Sequence, residues 1–470
     1  MPMKAKHLTL AICLFLPLLS IAQNSPAGDW EANLKIQGIE LPLVVHLKQK
    51  GDAWEGSFDS PKQKAYNISL TSVALRADTL EFTHKQAGIR FLGLYQTDSI
   101  VGDFSQGGKT LPMTLRRVKG APSKLAETIR PQQPKPPFNY SVREVKIKNK
   151  AAKLTLSGTL TVPTGKGPFP AVVLISGSGP QDRNSEVFDH QPFAVLAHHL
   201  TQAGIAVLRY DDRGVGQSTG DFNGATSEDF AGDALAAWAF LRKQKGINKN
   251  KVGLIGHSEG GMVAPIAFAR QPEPAFVVLM AGVGIPVTDL LAEQIQAVGQ
   301  SEGLSQAAID SQLSTNARTF HWLKTLPATQ ARDSLQAYLA AQKALLPAND
   351  AAAREQFDNQ AAGALRTYLD PWFLYFIGYD PRPNLMKLSC PVLAINGDKD
   401  VQVLAASNLQ GIEAALKAGG NKNYKICSLP GLNHLFQPAK TGAVSEYATI
   451  DTTFDPAAME VIASWIKGLE

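Results

Sequence analysis

"GLIGHSEGGMVAP", Gly253 to Pro265, joins a short apolar run to an apolar stretch of helical periodicity, and its reading decides the fold. Lys251 to Ile255 has the composition of a buried strand, and Met262 to Ala269 continues at helical spacing. Between them stands Gly256-His257-Ser258-Glu259-Gly260, a Gly-x-Ser-x-Gly turn. At a strand-to-helix junction such a turn holds a serine in a tight, strained bend with its hydroxyl lifted clear of the sheet. Glycines flank it because a Cβ at either place would meet the neighbouring strand or helix. The five-residue pattern also recurs by chance as a plain turn, so the rest of the chain has to decide.

A serine hydroxyl is a poor nucleophile at neutral pH unless a base lies within hydrogen-bond reach. Of the nine histidines, His257 points away from Ser258 if the strand continues, and so packs under the elbow. His434, in "LPGLNHLF" just past the last expected strand, is the candidate base, because catalytic groups gather at the carboxyl ends of parallel strands. A third group must fix the imidazole tautomer. "INGDKDVQV" offers Asp400 at a loop apex for that role, with Asp398 bracing the turn. The chain order Ser258, Asp400, His434 is the serine–acid–histidine order of one of the three unrelated triad types.

An oxyanion forming at the acyl carbon needs backbone donors in place, each worth about 3–4 kcal/mol. The Glu259 N–H, directly after the nucleophile, is one candidate. The other is the N–H of Ser178, with Gly177 as the alternative, in the glycine-rich loop after "AVVLIS".

Around these residues the chain divides by texture. Residues 1–22 combine a basic head, an apolar middle and small residues before Gln23, the pattern of a signal peptide, which makes the mature protein an exported one. Residues 28–118 alternate apolar and polar positions between turn signals and repeat a Gly-x-aromatic piece, as a meander closing into a small barrel or sandwich would. The stretch 119–140, with five prolines, reads as an extended linker. From 141 to 470 strands alternate with helices, which predicts an α/β fold, a mostly parallel sheet with helices on both faces. Residues 284–370 are Ala- and Gln-rich and helical, an insertion that reads as a cap. Just after it, Trp372, Tyr375 and Phe376 share a helical face with Tyr379 and either wall an acyl or aryl pocket or pack the cap.

The residues "SGSGPQDRN", "YDDRGVGQS", "GHSEGG", "NGDKD" and "LNHLFQ" together resemble the α/β-hydrolase superfamily, in its bacterial esterase and serine aminopeptidase-like branch. The resemblance implies the hydrolase fold over 141–470, the Ser258/Asp400/His434 triad and an oxyanion hole of Ser178 and Glu259. Ser176 stands where many relatives carry histidine before Gly177. The pair Asp182-Arg183 is expected to order the oxyanion loop against Asp212-Arg213, so that Arg183→Ala lowers turnover without unfolding the protein.

Composition narrows the alternatives. The net charge of +5 is small for 470 residues and the basic residues are dispersed, which gives nucleic-acid binding no support. "RGVGQSTG" places its third glycine one residue late for a dinucleotide fingerprint, and no zinc motif or phosphate loop is present, so no cofactor or metal is expected. Cys390 and Cys427 sit beside expected strands as small apolar filler. The reading is then an exported, periplasmic or secreted serine hydrolase. It would cleave small carboxylic esters through an acyl-enzyme, without membrane insertion after signal removal. The alternatives are a serine peptidase or aminopeptidase on the same fold, with Glu293 or Glu302 supplying an acidic subsite, and a ligand-binding protein with an unused hydrolase fold.

Overall fold

Nine short strands open the chain: β1 (Gly28–Ile36), β2 (Ile39–Lys50), β3 (Ala53–Ser60), β4 (Ala65–Ser69), β5 (Ser72–Arg76), β6 (Thr79–His84), β7 (Ile89–Gln96), β8 (Ser99–Gln106) and β9 (Lys109–Arg117). In this computed structural model, residues 25–36, 39–51, 53–61, 65–106, 109–118 and 130–469 are described. The expected signal peptide and residues 119–129 lie outside them.

The nine strands pair antiparallel in the order β2-β1-β9-β8-β7-β6-β5-β3-β4, and a further β2–β3 pairing closes eight of them into a barrel. Side chains alternate along β7, with Ile89 and Phe91 inward and Arg90 and Leu92 outward. The recurring glycines sit where the wall is tightest. Gly93 faces Gly102 in register, and a Cβ on Gly93 would stand 2.6 Å from the Phe91 ring. Trp30, Leu47, Leu80, Phe91, Ile100 and Leu115 fill the interior, as an eight-stranded barrel allows.

The second sheet has eight strands: β10 (Ser141–Asn149), β11 (Leu154–Val162), β12 (Phe169–Ile175), β13 (Ala206–Tyr210), β14 (Ile247–His257), β15 (Val277–Met280), β16 (Val392–Gly397) and β17 (Tyr424–Leu429). Their order is β10-β11-β13-β12-β14-β15-β16-β17, antiparallel through β13 and parallel from there on. The chain steps from β12 to β13 on one side and then to β14 on the other, so a topological switch point opens between the carboxyl ends of β12 and β14.

Both faces of this sheet are apolar because both are covered. Ala171, Val173 and Ile175 of β12 face one side, with α2 (Ser227–Leu241), α3 (Gly260–Arg270) and α10 (Ala405–Ala418). Val172 and Leu174 face the other, with α1 (Pro192–Gln202) and α11 (Pro456–Lys467). Between β15 and β16 run α4 (Val287–Ser301), α5 (Gln306–Thr325), α6 (Ala328–Ala344), α7 (Ala351–Tyr368), α8 (Pro371–Gly378) and the short α9 (Arg382–Leu385). The first four form the expected helical insertion, and α8 packs against α2, α4, α5 and α7.

On the barrel wall, His46 lies between two carboxylates, with Nδ1 2.7 Å from Asp29 and Nε2 3.1 Å from Asp59. Burial lowers its pKa, but the hydrogen bonds and charges of the two aspartates outweigh this and raise it above 6.5. The cluster's stability is therefore fully present below about pH 6.5 and is lost as pH rises through the folded-state value. The melting midpoint of His46→Gln is expected to fall furthest below native under acid conditions near pH 6, the gap narrowing as pH rises towards about 8. A gap that widens with pH in paired thermal scans would reverse this sign.

Candidate active site

The elbow is built by backbone contact. A Cβ on Gly256 would stand 2.0 Å from the Gly260 carbonyl oxygen, and one on Gly260 2.3 Å from that of Ile175. Helix α3 can therefore start hard against β12 and β14 only with glycine at both places. Ser258 takes up the bend with φ +56°, left-handed for a residue bearing a side chain. Its N–H donates to Met280 O at 2.9 Å, and the N–H groups of Gly261 and Met262 turn back to Ser258 O and Glu259 O at 2.8 Å each. Among the described residues neither the Glu259 N–H nor the Ser178 N–H meets an acceptor.

The other sequence-predicted groups arrive from neighbouring strand ends. Register pairs Ile175 with Gly256, so the loop after β12 lies beside the elbow, and a Cβ on Gly177 would touch the Ser258 Cβ at 3.2 Å. Strands β16 and β17 pair through Gly397 and Leu429, which makes their following loops neighbours. There His434 Nδ1 lies 2.7 Å from Asp400 Oδ2, both buried. Asp400 Oδ1 accepts the N–H groups of Gln402 and Val403 at 2.8 and 2.9 Å, while Asp398 accepts from Gly431 N–H at 2.7 Å and ties the two loops together. With Nδ1–H given to Asp400, the His434 Nε2 is the nitrogen left to act as a base. Gly177, Ser178, Ser258, Glu259 and His434 line one cavity of about 440 Å³.

His257 is more involved than a residue packed under the elbow. Its Nε2 lies 2.9 Å from His434 O, an atom that only accepts, so Nε2 carries the proton. Its ring lies 4.9 Å from that of His434. Burial and the neighbouring His434 push its pKa down to about 4, which keeps it a neutral spacer. Asn433 and Gln437 brace the same loop from within: Asn433 accepts the N–H of Leu435 and Gln437 and donates to the Gln437 side chain at 3.0 Å. Their polarity inside "LNHLFQ" was the available signal for this role.

The loop-ordering residues pair differently from expectation. Arg183 does reach the β13 loop, but its partner is Asp211, at 2.9 Å from Nε and 2.8 Å from Nη2, and it also bonds Glu144, Ser157 and Thr159. Asp212 holds the loop after β12 itself, accepting from the Ser176 hydroxyl at 2.8 Å and Gln181 N–H at 2.9 Å. Arg213 turns to α2, where it bonds Asp233 at 2.7 Å, and Asp182 caps its own turn through Asn184 and Glu186 N–H. Of the glycines of "RGVGQSTG", Gly216 lies against Asp211, where a Cβ would stand 2.6 Å from it, and Gln217 N–H donates to it at 3.1 Å.

The aromatic face also divides. Trp372 and Phe376 stack at 5.0 Å and line the cavity together with Phe373. Tyr375 turns instead to α2 and donates to Glu228 at 2.7 Å, because its stacking partner is Tyr379. Neither glutamate named for an acidic subsite lines the cavity; Glu293 accepts from Ser407 and Glu302 from Ser445 N–H. The carboxyl inside the cavity is Glu259. Its Oε1 accepts from Ser227 at 2.6 Å and from Trp372 Nε1 at 2.8 Å, and burial outweighs these bonds to raise its pKa. Cys390 is no rival nucleophile, as burial pushes its thiol up to about 12.

A mostly parallel sheet with this strand order, a serine elbow after β14 and an acid–histidine pair after β16 and β17 define an α/β-hydrolase. The family model of the X-Pro dipeptidyl-peptidase (S15 family) matches residues 154–425, and the chain belongs to that family. Esterase EstD of Thermotoga maritima is 28% identical over 312 residues, 66% of this chain and 65% of that protein, so the match spans just under two thirds of that relative's length. Among solved structures, an esterase of Pyrococcus furiosus is 16% identical, covering 70% of this chain and 91% of that chain, with a TM-score of 0.41. The proline iminopeptidase of Mycobacterium smegmatis is 15% identical, covering 69% and 98%, with a TM-score of 0.43.

The geometry changes the outcome expected for Arg183→Ala. Removing a guanidinium from a nearly buried pair strands the Asp211 carboxylate, at a cost of about 3–5 kcal/mol. Turnover and thermal stability should therefore fall together. Unfolding curves that superpose on native would show that the pair is dispensable.

Proposed function

We propose that this chain is an exported hydrolase that cleaves small carboxylic esters through an acyl-enzyme on Ser258. The observation that carries the reading is the convergence of Ser258 with the His434–Asp400 pair on one cavity, walled on its other side by Leu290, Leu291, Trp372, Phe373 and Phe376. In this reading His434 Nε2 takes the Ser258 proton as Oγ attacks the acyl carbon. The N–H groups of Ser178 and Glu259 receive the oxyanion, helped by the positive end of α3. His434 returns the proton to the leaving alkoxide and then activates the water that frees the acid. The apolar wall suits an uncharged acyl or aryl group. Export rests on the sequence of residues 1–22 alone.

The S15 family match supports the peptidase alternative, and Glu259 supports it in the structure, because a buried carboxyl beside Ser258 is where a substrate ammonium would pair. Burial raises the Glu259 pKa and so disfavours the charged form that an ammonium needs, which favours the ester reading.

Two measurements test these readings. Ser258→Ala should lose turnover of short p-nitrophenyl esters by about a millionfold and lose fluorophosphonate labelling while keeping the native melting curve. Native-level hydrolysis by the variant would remove Ser258 from the reaction. Glu259→Gln separates the substrates: ester hydrolysis within about tenfold of native is expected, with aminoacyl anilides poor substrates for both proteins. Efficient anilide cleavage by the native protein, abolished by Glu259→Gln, would establish the peptidase instead.

A further inference from the structure

The stretch before the hydrolase sheet ties together two loops of the cavity wall. Arg130 belongs to the proline-rich segment read as a linker, yet it is buried, and its guanidinium reaches two separate loops. Nη2 donates to Phe188 O at 2.9 Å and to Ala448 O at 2.8 Å, and Nη1 donates to Ile450 O at 3.2 Å. Two residues on, Gln132 donates to Phe454 O at 2.8 Å and accepts the N–H groups of Thr453 and Phe454 at 2.7 and 3.0 Å. His190 completes the tie, with Nδ1 2.7 Å from Thr453 Oγ1 and Nε2 3.1 Å from Tyr447 O.

The loops so joined carry Phe188 and Tyr447, whose rings lie 6.4 Å apart and both line the cavity. Tyr447 in turn accepts from the Gln402 side chain at 2.9 Å, two residues beyond Asp400. The Phe188 loop does not hold its shape unaided. Ser185, Phe188 and Asp189 have φ of +52°, +50° and +63°, and left-handed backbone at residues with side chains persists only where surrounding structure enforces it. The exposed Asp451 carboxylate stands 4.0 Å from Arg130 Nη1, but the buried Nε has no hydrogen-bond partner among the described residues, a costly way to end a linker that argues for a specific task.

We propose that Arg130, seconded by Gln132, is a positioning residue for the reaction: it fixes the Phe188–Tyr447 wall and so sets which acyl or leaving groups the cavity admits. This rests on the cavity being the reaction site, as proposed above, and it places the start of the functional hydrolase at Arg130 rather than at β10.

The test compares the full-length protein with Arg130→Ala, Arg130→Lys and Gln132→Ala by hydrogen-exchange mass spectrometry and by kinetics on p-nitrophenyl acetate and a bulkier benzoate ester. In Arg130→Ala, exchange should quicken within 185–190 and 443–454 while β12 and β14 stay protected. KM for the bulky ester should change at least fivefold, with kcat for acetate within about twofold. Ethylguanidinium should reverse both effects in Arg130→Ala, a rescue that general destabilisation would not give. If Arg130→Ala does not fold, the milder Arg130→Lys and Gln132→Ala should show the same local pattern in smaller measure. Unchanged exchange in both loops, or an equal loss on both esters without rescue, overturns the proposal. Should native protein cleave no ester, the Ser258 reading fails by itself, and exchange in the two loops still decides whether Arg130 holds the wall.

Discussion

The contact on which the site depends is backbone against backbone, where the first turn of α3 is pressed onto the ends of β12 and β14 with only hydrogens at Gly256 and Gly260 between them. That approach leaves Ser258 no ordinary conformation, and its left-handed φ is the consequence. It also brings the loop after β12 against the serine, so the Ser178 and Glu259 N–H groups are placed by the same packing that strains Ser258. A methyl group at either glycine would move helix, loop and serine together. Strain here is local, and the sheet that absorbs it is buried on both faces.

From that junction the remaining groups follow by topology. The chain reverses its direction of sheet growth at β12, which opens a crevice at the carboxyl ends of β12 and β14. On the far side, the pairing of β16 with β17 makes two loops neighbours although 34 residues separate Asp400 from His434. Each loop is then stiffened by its own side chains: Asp398 ties one to the other, and Asn433 and Gln437 hold the histidine loop from inside. None of these bracing groups needs to touch a substrate to matter, because a catalytic imidazole is useful only where its ring is held.

What the sequence made legible was whatever strand ends and turn chemistry decide. The α/β fold, the barrel that precedes it, the helical insertion and the elbow could all be read from apolar periodicity and glycine placement. Side-chain partners across loops could not. Asp182-Arg183 and Asp212-Arg213 look equivalent as adjacent acid–base pairs, yet Arg183 pairs with Asp211, while Arg213 pairs with Asp233 of α2. The aromatic run after the cap satisfies one helical face on paper, but two i, i+4 stacks divide it, sending Trp372 and Phe376 to the cavity and Tyr375 to Glu228. The burial of Arg130 was invisible for a similar reason: proline-rich composition describes backbone stiffness, and says nothing about one long side chain reaching into a neighbouring fold.

The electrostatics of the oxyanion side pose a further physical question, since two carboxyls stand close to where negative charge is expected to form. Glu259 follows Ser258 directly, and Asp212 underlies the loop that carries Ser178. Ionised, both would oppose an oxyanion in a site with little water to screen them. Burial resolves the conflict by raising both, Asp212 to about 7, with their mutual repulsion adding to the Asp212 shift. Hydrogen bonds from Ser176, Gln181, Ser227 and Trp372 hold the two groups in place without requiring a full charge. The carboxyls thus serve as anchors for the oxyanion loop and for the cap helix α8. Their burial limits the electrostatic penalty that anchors of this chemistry would otherwise impose on the reaction.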